Sequence, residues 1–90
     1  MLELFKSAQF KADYKLMKRR GYDMQMLKSI VALLQKPTML PSQNKDHQLV
    51  GNLKEFRECH IQPDWLLIYY ANKEGLHLVR TGTHSDLFKK

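Results

Sequence analysis

Apolar positions recur at helical spacing through the first third of the chain and at strand spacing through its last half. Phe10, Tyr14 and Met17 fall three to four residues apart, the period of one face of an α-helix. Ser7 precedes them with a hydroxyl suited to the first free N–H groups, so the pattern predicts a helix over residues 8–20. Lys11, Lys15, Lys18, Arg19 and Arg20 occupy its other faces, and Gly21 supplies the stop. Asp23 caps a second helix running to about residue 35. Its stripe is Leu27, Ile30, Val31 and Leu34, with Met24 at the start. The short link at Gly21 and Tyr22 predicts an antiparallel helix hairpin. Pro37, Pro41, Ser42 and Asn44 mark residues 36–46 as a loop.

From Leu49 onward the period is two. Residues 53–61 read as a strand with Phe56, Glu58 and His60 on one face and Leu53, Glu55, Arg57, Cys59 and Ile61 on the other. Gln62, Pro63 and Asp64 form a turn. Residues 65–70 show no polar alternation, so this strand is expected to be covered on both faces. Residues 72–75 make a hairpin turn ending in Gly75. Residues 76–83 form the last strand, with Leu76, Leu78 and Arg80 on one face, and residues 84–88 a short tail. Residues 1–5 add a short N-terminal strand. The order predicts an α+β fold: a helix pair on one face of a mainly antiparallel sheet of about four strands, the other face left for a partner or substrate.

Ninety residues with 43% hydrophobic and 27% charged positions suit one folded domain with a modest core. Cys59 is the sole cysteine. A disulfide scaffold is therefore excluded, which suits a reducing cytoplasm. The longest apolar run, residues 65–71, is about a third of the ~20 residues that a membrane-crossing helix needs. Lys6 and Lys11 interrupt the stretch that a signal peptide would require. Fifteen Lys and Arg against nine Asp and Glu give a net charge of +6. Such a balance favours an anionic partner, whether nucleic acid, an acidic protein segment or an anionic membrane, and equally suits a solvated surface.

Candidate chemistry lies in the histidines, which titrate near neutrality and serve as acid, base or metal ligand. His77, mid-strand between Leu76 and Leu78, reads as a surface residue without a role. His47 follows Asp46 in the loop entering the sheet, His60 closes a strand two residues after Glu58, and His84 follows the last strand. Strand-end spacing permits His60, Asp64 and His84 to converge. A carboxylate beside one histidine favours its protonated form, so one can act as acid while another stays neutral as base. Arg80 offers a planar fork for a phosphate, or an ion pair with a sheet carboxylate. Glu58, His60 and Asp64 are also metal-ligand types, but there is no HExxH motif and no paired cysteine. Cys59 points away from His60 by alternation, and no Gly-rich phosphate loop is present.

Three runs in the C-terminal half carry a family resemblance. They are Lys45-Asp46-His47-Gln48-Leu49-Val50-Gly51, then Phe56 through Tyr69 (FRECHIQPDWLLIY), then Arg80-Thr81-Gly82-Thr83-His84-Ser85-Asp86-Leu87-Phe88. Together they resemble the YafQ branch of the RelE/ParE toxin superfamily, over residues 1–90 as one toxin domain. The resemblance implies the toxin of a type II toxin–antitoxin pair. It implies a cytoplasmic endoribonuclease, or mRNA interferase, that cuts mRNA on the translating ribosome without a metal or other cofactor. It implies His47, His60, Asp64 and His84 as the acid–base set, Arg80 on the scissile phosphate and Phe88 stacked on a base. Glu58 and Trp65 would support that set. The partners implied are a cognate antitoxin and ribosome-bound mRNA, with no membrane. Gln48 stands where the family commonly has Pro, and Glu58 where an Asp is also found. Lys89 and Lys90 extend past the usual Leu-Phe ending. The competing readings are a non-catalytic, gyrase-binding inhibitor of the same fold, which would generally lack the histidines, and a plain basic RNA-binding module, which would tolerate their loss.

Overall fold

The structure is a computed structural model and describes residues 2–36, 44–49 and 55–88. Strand β1 (Leu4–Lys6) leads into helices α1 (Ala8–Arg19) and α2 (Met24–Leu34). Strands β2 (His47–Gln48), β3 (Arg57–Gln62), β4 (Trp65–Ala71) and β5 (Leu76–Gly82) follow, and then helix α3 (His84–Phe88). Both early helices start where a side chain replaces a missing acceptor. Ser7 Oγ accepts the Phe10 N–H at 2.9 Å, and Asp23 Oδ1 accepts the Gln25 N–H at 3.0 Å. Each ends one residue earlier than its apolar pattern predicts, with Arg20 and Gln35 as the caps. Gly21 then turns the chain at φ +91°, in the left-handed region.

The sheet has five strands in the order β1-β5-β4-β3-β2. The expected antiparallel meander is its centre, β3–β4–β5. Two additions correct the expected count of about four. β2 is a two-residue strand, too short for any alternation to reveal, and it pairs His47 with Glu58. β1 lies parallel to β5, with Leu4 opposite Leu76. That pairing makes the sheet mixed, and the whole chain from α1 to β4 serves as the long connection that parallel strands require. The strand expected over 53–61 begins only at Arg57 and runs to Gln62; Leu53 lies outside the described residues.

The core lies between the helices and one sheet face. Phe10 and Met17 of α1 and Leu27, Ile30 and Val31 of α2 cluster with Cys59, Ile61, Trp65, Leu67, Tyr69, Leu76 and Leu78. A bulge then changes the pattern in β5. Tyr69 pairs with Leu78 but Ile68 pairs with Arg80, so Val79 is the extra residue. Leu76 and Leu78 therefore face the core while Arg80 starts on the opposite face, correcting the expectation that the three share a side. The second face is not left open along its length. Leu66 and Ile68 on that face are buried. The expected tail is a helix that folds back over it: a Cβ on Gly82 would fall 3.0 Å from the Asp86 Cβ and 3.4 Å from Leu87 Cδ2. No helix among the described residues is long and apolar enough to cross a membrane.

Candidate active site

Alternation along β3 places Glu58 and His60 on the face turned away from α1 and α2, while Cys59 between them enters the core. β2 brings His47 opposite Glu58. Asp46 and His47 point to opposite sides. The Asp46 carboxylate accepts from the Tyr69 hydroxyl at 2.5 Å and from Arg57 Nε at 3.2 Å, anchoring the chain just before His47. Burial, then the bond to Asp46, push the Tyr69 phenol well above its ordinary range. His47 Nδ1 meets the Lys45 carbonyl at 2.7 Å, which makes that nitrogen the donor. Its Nε2 lies 3.4 Å from Glu58 Oε1, and His60 Nε2 lies 3.6 Å from the same oxygen. One buried carboxylate thus stands between two histidines. Asn44, itself buried, donates Nδ2–H to the His60 carbonyl at 2.7 Å and ties the entering loop to β3.

The turn after β3 and the start of α3 supply a second unit. Asp64 Oδ1 accepts the His84 backbone N–H at 2.9 Å and meets its ring Nδ1 at 2.5 Å. The backbone bond, then the ring bond, hold the Asp64 carboxyl below the usual carboxylate range. The carboxylate fixes the ring through Nδ1 and leaves Nε2 outside that bond. The His84 ring stands edge-on to that of His60, centroids 5.7 Å apart at 73°. His47, Glu58, His60, His84 and Asp64 therefore form one run of neighbours, with a carboxylate for each histidine group. Such a set can take a proton at one point and deliver one at another.

Arg80 is placed differently. Its guanidinium forms a bidentate pair with Asp13 of α1, Nε to Oδ2 at 2.9 Å and Nη2 to Oδ1 at 3.1 Å. Asp13 Oδ2 also accepts the Thr81 N–H at 3.2 Å, on the edge of β5 that β1 does not reach. The bonds to Asp13 raise the Arg80 pKa. The carboxylate partner comes from a helix, not from the sheet. Trp65 lies apart from the histidines, fully buried on the helix side. Its Nε1–H donates to Thr81 Oγ1 at 2.9 Å and its ring meets Tyr22 edge-on at 5.0 Å. Phe88 closes α3 half-buried, and Lys89 and Lys90 lie outside the described residues. His77 sits toward the far end of the sheet, stacked on Tyr70 at 4.4 Å and on Phe5 at 4.7 Å. Burial pushes the Cys59 thiol up to about 12, so it is no nucleophile at neutral pH.

Sequence reasoning missed Asn44 and Asp13. The second carried a signal, because Asp13 stands one turn before Met17 and so shares its buried side.

Similarity to known proteins extends over nearly all of this arrangement. A family model described as bacterial toxin of type II toxin–antitoxin system, YafQ, matches residues 2–89. The mRNA interferase toxin YafQ of Escherichia coli K12 is 45% identical over 83 residues, 91% of this chain and 90% of that protein. YafQ in the E. coli DinJ–YafQ complex superposes with a TM-score of 0.90 at 40% identity, covering 98% of this chain and 99% of that one. A metal-bound toxin from Helicobacter pylori gives a TM-score of 0.91 at 43% identity, covering 98% and 100%. In the present chain, no group of three or more His, Cys, Asp or Glu among the described residues is arranged to hold a metal ion. With the match spanning 2–89 and the relatives aligned nearly end to end, the chain belongs to the YafQ family of bacterial toxins from type II toxin–antitoxin systems.

Proposed function

We propose that this toxin is an mRNA interferase: an endoribonuclease that cuts translated message on the ribosome, in the cytoplasm, by attack of the ribose 2′-hydroxyl on the adjacent phosphate. The observation that carries the reading is the run His47–Glu58–His60–His84–Asp64, two carboxylate-paired histidine groups in contact at one end of the sheet. RNA brings its own nucleophile. The enzyme must supply a base for the 2′-hydroxyl, an acid for the leaving 5′-oxygen and positive charge for the phosphorane. His47 or His60, beside Glu58, acts as base. His84, held through Nδ1 by Asp64, presents Nε2 as acid. Arg80 receives the scissile phosphate on its Nη1 side, since Nε and Nη2 are engaged by Asp13. Phe88 stacks on a neighbouring base.

The ribosome supplies the orientation of the message. As in the DinJ–YafQ complex of E. coli, the partner in the cell is a cognate antitoxin, here expected to be acidic to match the +6 charge. Purified toxin, ribosomes and a defined message, followed by primer extension, test the reading. Cleavage within the translated frame, slow cutting of free RNA and a loss of ~10²–10⁴-fold in His84→Ala are expected. Arrest of growth without any cut message points instead to a non-catalytic inhibitor.

A further inference from the structure

The residue that closes α1 reaches the helix bearing His84. Arg20 donates Nη1–H to Asp86 Oδ2 at 2.7 Å and Nη2–H to Asp86 Oδ1 at 3.2 Å. Asp86 in turn closes a reciprocal cap on α3: its Oδ2 accepts the Thr83 N–H at 2.9 Å, while Thr83 Oγ1 accepts the Asp86 N–H at 3.2 Å. A five-residue helix cannot hold its place by its own hydrogen bonds. α3 is held instead by two carboxylates. Asp64 grips His84 from the β3–β4 turn, and Asp86 grips Thr83 while itself gripped by Arg20.

We propose that Arg20 is a positioning residue for the reaction: by clamping Asp86 to the end of α1, it fixes the seat of α3 and so the placement of the His84 ring against His60 and Asp64. The inference rests on the reading of His84 as a catalytic group. Position 20 follows Asp13 by seven residues, about two turns, so both lie on one side of α1. That side presents a carboxylate to β5 and a guanidinium to α3, with buried Met17 between them and its Sδ 3.7 Å from Arg20 Nη1. α1 is fixed by the core, which makes it a rigid reference for both. Arg20 is 39% exposed and Asp86 half-buried at 24%, so solvent screens the pair and keeps its share of global stability modest. Its two-point geometry supplies direction instead. Arg20 could otherwise act as one more basic contact to an RNA phosphate, and the two roles separate in kinetics.

The test uses the full toxin with Arg20→Ala, Arg20→Lys, His84→Ala and the double variant. Arg20→Ala should lower kcat on ribosome-bound message by about ten- to a hundredfold, the range for a slightly misplaced catalytic group, with KM nearly unchanged and the protein still folded at the assay temperature. Arg20→Lys keeps the charge but loses the fork, so it should not restore the rate. In the His84→Ala background, adding Arg20→Ala should cost no more than about twofold, because the residue it positions is gone. Hydrogen exchange gives a readout independent of cleavage. The Leu87 amide, bonded to the Thr83 carbonyl, should exchange faster in Arg20→Ala while amides of the core strands do not change. A raised KM at constant kcat, full rescue by lysine, an equal loss in the His84→Ala background, or unaltered Leu87 exchange would each overturn the proposal. Absence of cleavage by the unmodified toxin would count against the activity itself, leaving the exchange result to decide the clamp.

Discussion

Removing the buried Asp13 carboxylate should cost more stability than removing any other charge of α1. In Asp13→Ala, the Thr81 N–H loses its acceptor at a residue only 1% exposed. An unsatisfied buried donor costs about 1–3 kcal/mol. Arg80 loses a bidentate partner too, but its side chain is 34% exposed and can be rehydrated, which limits that loss to about 1 kcal/mol. The bond from Gln9 Nε2 at 3.2 Å adds nothing measurable, since Gln9 lies in solvent. The total expected is about 2–4 kcal/mol, and a domain of this size loses roughly 4–8 °C of Tm per kcal/mol. Asp13→Asn keeps one acceptor for Thr81 but turns an amide N–H₂ toward a guanidinium, so it should fall between wild type and alanine. Urea unfolding followed by circular dichroism gives the numbers, with an unchanged m-value as the sign that only stability moved. A shift below about 0.5 kcal/mol, the ordinary level for surface substitutions, would refute the claim that Asp13 seals the β5 edge.

Three further outcomes follow from particular contacts. Trp65→Phe should delete the bond to Thr81 Oγ1 and leave a cavity where the fully buried indole packed, costing about 2–4 kcal/mol in an unfolding titration; a cost below about 0.5 kcal/mol would contradict its placement. Cys59, buried with its thiol pushed up to about 12, should resist a thiol reagent at pH 8 until denaturant is added, and rapid labelling of the native toxin would contradict its placement. The Arg20 fork, then the Thr83 N–H, hold the Asp86 carboxyl at about 2. Because its folded-state value lies below the ordinary ~3.9, its contribution is complete above pH ~4 and is lost as pH falls from there toward 2. Melting temperatures across pH 2–5 should therefore fall less steeply in Asp86→Asn, and an identical slope would sink the assignment.

What could be read in advance was whatever local chemistry decides. Ser7 and Asp23 cap their helices through bonds to residues two or three positions away. The apolar run of β4 was sufficient to mark a strand buried on both faces. Features set by distant partners were not readable. β1 pairs with a strand some seventy residues later, and β2 exists only because β3 offers it an edge. The bulge at Val79 reverses the side on which Arg80 leaves the sheet, and no residue type announces it. α3 lacks a continuous apolar stripe and is held by Arg20 and Asp64 from elsewhere in the fold. Among the site residues, spacing alone allowed His60, Asp64 and His84 to meet, while the pairing of His47 with Glu58 needed the unforeseen β2.

The central claim is that histidines, oriented by Glu58 and Asp64, move the protons for attack by a ribose hydroxyl. The most direct measurement uses ribosomes translating a message with a single 2′-deoxy nucleotide at the cut position, beside the unmodified message. The account predicts that the unmodified message is cut to a 2′,3′-cyclic phosphate and a 5′-hydroxyl, while the deoxy message is spared at that position. Cleavage of the deoxy message at the normal rate would contradict it.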